Sequence, residues 1–372
     1  LNLSNLKPQI SLFKVYSLTM QLSTELKLQQ LSSLKFKLLL IALASIRVGI
    51  SPIGQEWVGW LVDAAKAFPE SANYISYSPL PVLLMKILSS SNPFLWWSIW
   101  LIIDLTWLYM CMVLIEKKYP KNSRFLQTIF MMSQLVTVNL TMIGHYDNLI
   151  FIAITLLIFF KSRLLIFLSA CIAAGANPYL SFAAGICLLF YYLYTRNKQN
   201  LSIALNWSIV SLVFLMGTNF FLTAPNSGTR QSIVLGQFAM VIKGVVGVWW
   251  YLPFSVFGAL TLIYFILLFD SLKHKNSLGK LKVASFLIGS LIIPVAMAYL
   301  ILDHTRIGVA AGSAVLLLLI FEKVDTIENF MAKLNLQPIS SLIVLWVLTY
   351  PVIVDSAGVF RLPYEKFASL IW

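Results

Sequence analysis

Long apolar runs separated by short polar tips make up most of the chain. Leu, Ile, Val and Phe fill these runs without the alternation of a half-buried strand, so each run is predicted to be a helix. Many runs approach the roughly 20 residues that cross a bilayer core. The predicted spans are residues 36–50, 93–115, 125–143, 149–160, 164–176, 180–194, 201–222, 249–269, 286–302, 309–321 and 340–354. The pattern predicts an all-α, multi-pass membrane protein with about 11 transmembrane helices.

Basic residues mark one side of this predicted bundle. Lys and Arg cluster in residues 117–124, 161–163, 196–198 and 273–282, at alternate ends of the spans. Cytoplasmic tips carry such an excess, which places the N-terminus in the cytoplasm and the other tips outside. We predict that this membrane is a bacterial inner membrane or that of the endoplasmic reticulum.

Composition agrees with this topology. The chain of 372 residues is 59% hydrophobic and only 11% charged, far from the charge content of a soluble domain. Its net charge of +13 is explained by the basic residues of the cytoplasmic tips, so we predict no nucleic-acid partner. The three cysteines lie in apolar runs and are predicted to be buried thiols, with no disulfide framework or metal site.

The predicted organisation has two parts. Residues 1–35 form a cytoplasmic or interfacial segment, as an amphipathic helix on the membrane surface or a poorly ordered tail. Residues 36–372 form one transmembrane domain. Two long polar stretches lie outside in this topology, residues 51–92 as the first extracytoplasmic loop and residues 223–247 as the second.

The outer tips collect ionisable and amide side chains. Such groups are costly at a membrane unless they are hydrated, paired or used. The first loop contributes two candidate catalytic carboxylates, Glu56 and Asp63. The candidate substrate-binding residues are Tyr77, His145, Asp147, Asn177, Arg230, Lys243, Asp303, His304 and Arg306.

Structural readings of the same residues stay open. The Gly144–Asn148 stretch also fits a turn that caps the next helix, and Asp303 with Arg306 fits a local ion pair. Asp104 lies in the middle of a predicted span, where we expect it to be protonated or paired across helices.

These residue types suit sugar transfer from a lipid-linked donor. A carboxylate near the membrane surface can take the proton from an acceptor hydroxyl as that hydroxyl attacks the anomeric carbon. Glu56 and Asp63 both fit this role, and Arg230 and Arg306 fit binding of the departing lipid phosphate. The sequence carries no Walker-type loop, Rossmann fingerprint, HExxH motif or Cys/His cluster that would favour another chemistry.

The order of motifs resembles the GT-C superfamily of integral-membrane glycosyltransferases. Over roughly residues 45–195, the matching segments are Gln55-Glu56-Trp57, Tyr77-Ser78-Pro79-Leu80, Gly144–Asn148 and Asn177-Pro178-Tyr179. Together with Ile103-Asp104-Leu105, the Tyr-Ser-Pro-Leu segment looks most like the mannosyltransferases of glycosylphosphatidylinositol-anchor synthesis.

The resemblance implies transfer of mannose or a similar hexose from a polyprenyl- or dolichyl-phosphate donor to a lipid-linked or extracytoplasmic glycan acceptor. It leaves a divalent-cation requirement open. The family's first-loop acid is usually an Asp in an Asp-x-Asp or Asp-Glu pair, whereas Glu56 stands seven residues from Asp63. We prefer Glu56 as the base because of its spacing to the following Ala-Ala segment.

Two other functions fit the same pattern. A GT-C-like chain can serve as a non-catalytic subunit of a membrane complex, since a fold does not guarantee activity. A lipid-sugar transporter or flippase would show inverted repeats and ionisable residues near the bilayer midplane. No convincing repeat is present, and Asp104 is the clear acid at that depth.

Overall fold

Helices account for nearly all regular structure in the described part of this protein. The computed structural model describes residues 23–50, 53–70, 74–88, 92–160, 162–221, 252–273, 277–300, 304–349, 352–355 and 358–361. Within these ranges, a two-stranded hairpin near the C-terminus accompanies the helices.

The first part of the chain contributes helices α1 to α11. They are α1 (residues 23–30), α2 (Ser33–Val48), α3 (Gln55–Ala67), α4 (Pro79–Leu88), α5 (Pro93–Lys118), α6 (Ser123–Met132), α7 (Gln134–Thr141), α8 (Asn148–Phe159), α9 (Arg163–Ala176), α10 (Pro178–Thr195) and α11 (Lys198–Phe221). A 3₁₀ turn, Tyr74–Tyr77, precedes α4.

The second part contributes seven further helices and the hairpin within the described residues. They are α12 (Leu252–Phe257), α13 (Thr261–Leu272), α14 (Ser277–Leu287), α15 (Ile293–Leu300), α16 (His304–Glu322), α17 (Val324–Lys333), α18 (Pro338–Leu348), β1 (Val352–Asp355) and β2 (Gly358–Arg361). A 3₁₀ turn, Gly258–Leu260, joins α12 to α13, and a π-helical turn, Ile288–Ile292, joins α14 to α15.

Five of the described helical segments are long and apolar enough to cross a membrane. They are Pro93–Lys118, Pro178–Thr195, Leu201–Phe221, Ser255–Leu272 and Gly279–Ala298. A sixth arises if α16 and α17, which meet at a bend of 68°, form one broken span. The described chain therefore has the helix lengths and composition of a multi-pass membrane protein, and the expected number of about 11 crossings stays a prediction.

One predicted span is broken in the middle. Residues 125–143 form two helices, α6 and α7, because the backbone at Ser133 is extended, with ψ of 147°. Serine is a favoured residue at the start of a helix, and Ser133 occupies the position that ends α6 and begins α7. Residues 125–140 are buried throughout, so this broken segment lies at the centre of the bundle.

The predicted last span, residues 340–354, is wrong at its C-terminal end. Helix α18 stops at Leu348, and β1 pairs antiparallel with β2, with Val352 opposite Arg361 and Asp355 opposite Gly358. Pro351 lacks the N–H that a continuing helix needs, and the β-branched run that follows favours a strand.

The described part of the N-terminal segment is tied to the bundle. The buried Glu25 carboxylate of α1 accepts hydrogen bonds from the backbone N–H groups of Ser340, at 2.7 Å, and Ile339, at 3.4 Å. These groups open α18, where a negative charge is favourable. Arg124 of α6 donates to the carbonyl oxygens of Leu28 and Leu31. Helix α1 thus connects the start of α18 to α6.

A glycine in the π-helical turn sets a tight helix contact. A Cβ at Gly289 would lie 2.8 Å from Cβ of Phe190 and 2.9 Å from the Cys187 carbonyl oxygen, and the carbonyl belongs to the backbone of α10. We expect Gly289→Ala to lower the free energy of unfolding by about 1–3 kcal/mol, because α10 must move.

Thermal melting of the purified protein in detergent checks this expectation. Gly217→Ala on α11 is the matched control, since nothing lies within 4 Å of the added Cβ. Equal melting temperatures for the two variants would contradict the tight contact.

Candidate functional site

The first polar stretch, residues 51–92, is largely helical where the structure describes it. Helix α3 buries Val58, Leu61 and Ala64 on one side and exposes Glu56 and Asp63 on the other. Residues seven apart in a helix are nearly two full turns apart, so the two carboxylates point in similar directions. The two candidate catalytic acids therefore share the exposed face of an amphipathic helix.

Helix α3 rests on the turn that joins α7 to α8. The Ile53 N–H donates to the Ile143 carbonyl at 3.0 Å, and the Trp57 ring lies 5.5 Å from the His145 ring between centroids. Trp96 of α5 donates from Nε1 to the Gly144 carbonyl at 2.9 Å. A small apolar core beneath α3, which includes Ile143, joins these elements. The first loop and the 144–148 turn are thus one packed unit.

Gly144 is required by the shape of this turn. Its φ is +89°, a conformation that side chains rarely adopt, and a Cβ there would lie 3.0 Å from Nε1 of Trp96. The glycine lets the chain reverse directly beneath the indole ring. His145 and Asp147 are held in place by this reversal.

Four of the predicted binding residues meet in one buried cluster. Asp147 Oδ2 lies 3.3 Å from Nε of Arg306, and Asp147 Oδ1 accepts a hydrogen bond from Nδ2 of Asn177 at 3.1 Å. A nitrogen of the His145 ring contacts Nη1 of Arg306, and Nδ1 lies 3.7 Å from Asp147 Oδ2. Exposed fractions are 0% for Asp147, 3% for His145, 4% for Asn177 and 7% for Arg306. Residues far apart in sequence thus form a buried ion pair with supporting polar groups.

Three members of this cluster are presented by helix ends, and His145 lies in the turn before α8. Asp147 directly precedes α8, Asn177 joins α9 to α10, and Arg306 lies in the first turn of α16. Asn177 also caps α10, since its Oδ1 accepts from the Leu180 N–H at 3.3 Å. Asp147 occupies the capping position of α8 but makes no side-chain capping bond, because its carboxylate turns to Arg306 and Asn177. The hypothesis that residues 144–148 form a turn capping the next helix therefore explains the position of Asp147 but not its contacts.

Tyr77 is buried in the 3₁₀ turn between α3 and α4. Burial raises the pKa of its phenol, and the neighbouring Tyr179 near the start of α10 adds to the shift. Tyr77 thus lies near Tyr179, in the first turn of α10, the helix that Asn177 caps.

The remaining predicted residues lie outside the described part of the chain. Arg230, Lys243 and Asp303 belong to ranges that are not described, so the predicted pair of Asp303 with Arg306 stays a prediction. His304 begins α16, and its side chain is not described either. Among the described residues, no three His, Cys, Asp or Glu side chains are grouped as metal ligands.

Sequence reasoning missed two parts of this region. Trp57 contacts His145, a pairing that no local pattern indicates. Asn139 of α7 and Asn148 lie beside Asp104, and the one available signal was an isolated amide within an apolar run.

Comparisons with known proteins add no relative to this picture. A scan against protein-family models, a search of curated proteins and a search of solved structures found no match to this chain. The functional assignment therefore depends on the residues and their geometry.

Proposed function

We propose that this chain is a membrane glycosyltransferase of the GT-C type. It would move mannose or a similar hexose from a polyprenyl- or dolichyl-phosphate to a lipid-linked or extracytoplasmic glycan acceptor. The observation that carries the proposal is the packing of α3, with its exposed carboxylates, over the turn that holds the buried cluster of Asp147, His145, Asn177 and Arg306. The proposal includes about 11 crossings, a cytoplasmic N-terminus and α3 on the outer side.

Glu56 is the better placed of the two candidate bases. It precedes Trp57, whose ring contacts His145, so it lies at the end of α3 that touches the cluster. Asp63 lies seven residues further along α3, about 10 Å away at 1.5 Å per residue. An exposed carboxylate at this position can accept the proton of an acceptor hydroxyl in water.

Arg306 and His145 are proposed to act on the phosphate side of the donor. A guanidinium binds phosphate oxygens through its planar fork, and the ion pair with Asp147 restricts the orientation of that fork. Arg230 and Lys243, in the second polar stretch, are proposed to add positive charge. In this arrangement the acid deprotonates the acceptor while the cations stabilise the departing lipid phosphate.

A reconstitution experiment tests the proposal. Purified protein in proteoliposomes is supplied with radiolabelled dolichyl- or polyprenyl-phosphate mannose and a lipid extract as acceptor source. We expect label to move to a lipid-linked or glycan product, and unlabelled donor to compete. Absence of transfer with mannose and glucose donors, together with no crosslinking to a photoactivatable polyprenyl phosphate, would refute the proposal.

A non-catalytic subunit of a membrane complex is the second candidate. One observation favours it: Asp147 interacts with both Asn177 and Arg306, and this arrangement can connect α8, α10 and α16 in a purely structural role. Stoichiometric co-purification with partner proteins, without donor crosslinking, would support this candidate.

A further inference from the structure

A second buried polar cluster lies behind the turn that joins α7 to α8. Its members are Asp104 of α5, Asn139 of α7 and Asn148, the first residue of α8, all with exposed fractions of 0–1%. Asn148 Nδ2 donates to Asp104 Oδ2 at 3.2 Å and to the Met142 carbonyl at 3.2 Å. The Asn139 side chain lies beside the Asp104 carboxylate. Three helices thus bring one acid and two amides together inside an apolar bundle.

Side-chain oxygen atoms outnumber donor nitrogen atoms in this cluster. Within the described part of the chain, Oδ1 of Asn148 and Oδ1 of Asn139 accept no hydrogen bond, and Oδ1 of Asp104 has no well-aligned donor beside the nearby Asn139 amide. A buried acceptor without a partner costs free energy, so these oxygens call for a ligand.

The charge of Asp104 leads to the same conclusion. None of the ion pairs found among the described residues includes Asp104. A buried carboxylate is costly unless it is protonated, paired or bound to a cation, and a cation would use the unpaired amide oxygens as well. Carboxylate and amide oxygens are hard ligands that suit such an ion.

We propose that Asp104, Asn139 and Asn148 bind a single sodium ion. One carboxylate balances one positive charge, which favours a monovalent over a divalent cation. The ion would join α5, α7 and α8 through Asp104 Oδ1 and the two amide oxygens. Transporters also coordinate sodium inside the bilayer, there through backbone carbonyl oxygens of unwound helices. This site is separate from the proposed transferase chemistry and does not depend on it.

The site would also steady the neighbouring ion pair. Asn148 follows Asp147 directly, so a cation held by the Asn148 amide fixes the start of α8. The carboxylate that pairs with Arg306 is then presented in one orientation. Sodium thus becomes a structural component of the region beneath α3.

Binding of radioactive sodium to the purified full-length protein, measured by scintillation proximity, tests the site. We expect saturable binding that unlabelled NaCl displaces and choline chloride does not. Thermal melting at constant ionic strength gives the second readout, since a ligand that binds the folded state raises the melting temperature by mass action. NaCl is expected to raise it by several degrees over choline chloride.

Variants decide which residues hold the ion. Asp104→Asn is expected to lose sodium binding and the sodium-dependent rise in melting temperature. The matched control is Asp270→Asn, which removes an acid that pairs with Lys273 on the surface of α13 and is expected to leave both readouts unchanged.

Three results would overturn the proposal. They are wild-type protein without saturable sodium binding, equal melting in sodium and choline, and undiminished sodium binding by Asp104→Asn. If Asp104→Asn does not fold, the two wild-type measurements decide the matter without it.

Discussion

Replacing Arg306 with methionine is expected to lower the free energy of unfolding by about 3–5 kcal/mol. The substitution leaves the Asp147 carboxylate, which is fully buried, without its guanidinium partner at 3.3 Å. Methionine fills similar space, so the loss reports the charge and not a cavity. Reversible unfolding in mixed detergent micelles measures it.

A double-mutant cycle separates the ion pair from other effects. Asp147→Asn alone is expected to cost a similar amount, whereas the double variant should cost less than the sum because both charges leave together. Arg163→Met serves as the control, since Arg163 is an exposed residue at the start of α9 and its loss should change stability by less than about 0.5 kcal/mol. Strictly additive losses would show that Asp147 and Arg306 do not stabilise each other.

Glu56→Gln is expected to reduce the rate of sugar transfer by roughly 100- to 10,000-fold, the usual contribution of a general base. Glutamine keeps the size and shape of the side chain, but its amide is not basic enough to take the proton. Because Glu56 is exposed on α3, the melting temperature should stay close to that of the wild type. Turnover at saturating lipid-phosphate sugar is the quantity to measure.

Two further acids test whether this loss is specific. Asp63→Asn should keep most of the activity if Glu56 is the base, since Asp63 lies two turns further along α3. Glu70→Gln, an exposed acid just beyond α3, should behave as the wild type. A large loss in Asp63→Asn alone would assign the role to Asp63, and full activity in both single variants and in their double variant would contradict a carboxylate base on α3.

Hydropathy and charge predicted the helical, multi-pass character of the chain. They did so because each apolar run in lipid must pair its own backbone groups, which makes a helix predictable from that run alone. The gathering of His145, Asp147, Asn177 and Arg306 was also expected, since alternate tips of a helical bundle return to one side. Their pairing was not, because Asp147 and Arg306 are far apart in sequence and meet through the packing of α8 against α16.

Other features depend on contacts that no local pattern contains. The break at Ser133 lies within a continuous apolar run, and it becomes visible once α6 and α7 are both buried. Helix α17 was missed because it is short and amphipathic, so its apolar residues are separated by polar ones and give no span signal. The hairpin of β1 and β2 did carry a signal, Pro351, which the length of the apolar run obscured.

The capping of α18 by Glu25 has a consequence for the order of assembly. Glu25 and Ser340 are 315 residues apart in sequence, and Arg47 of α2 similarly reaches the carbonyl of Trp346 at 2.6 Å. At a synthesis rate of about 5–20 residues per second, roughly 15–60 seconds separate the emergence of the two ends. Helices α1 and α2 are therefore synthesised before their partner α18, and a chain cut short before Ile339 keeps the Glu25 carboxylate undocked.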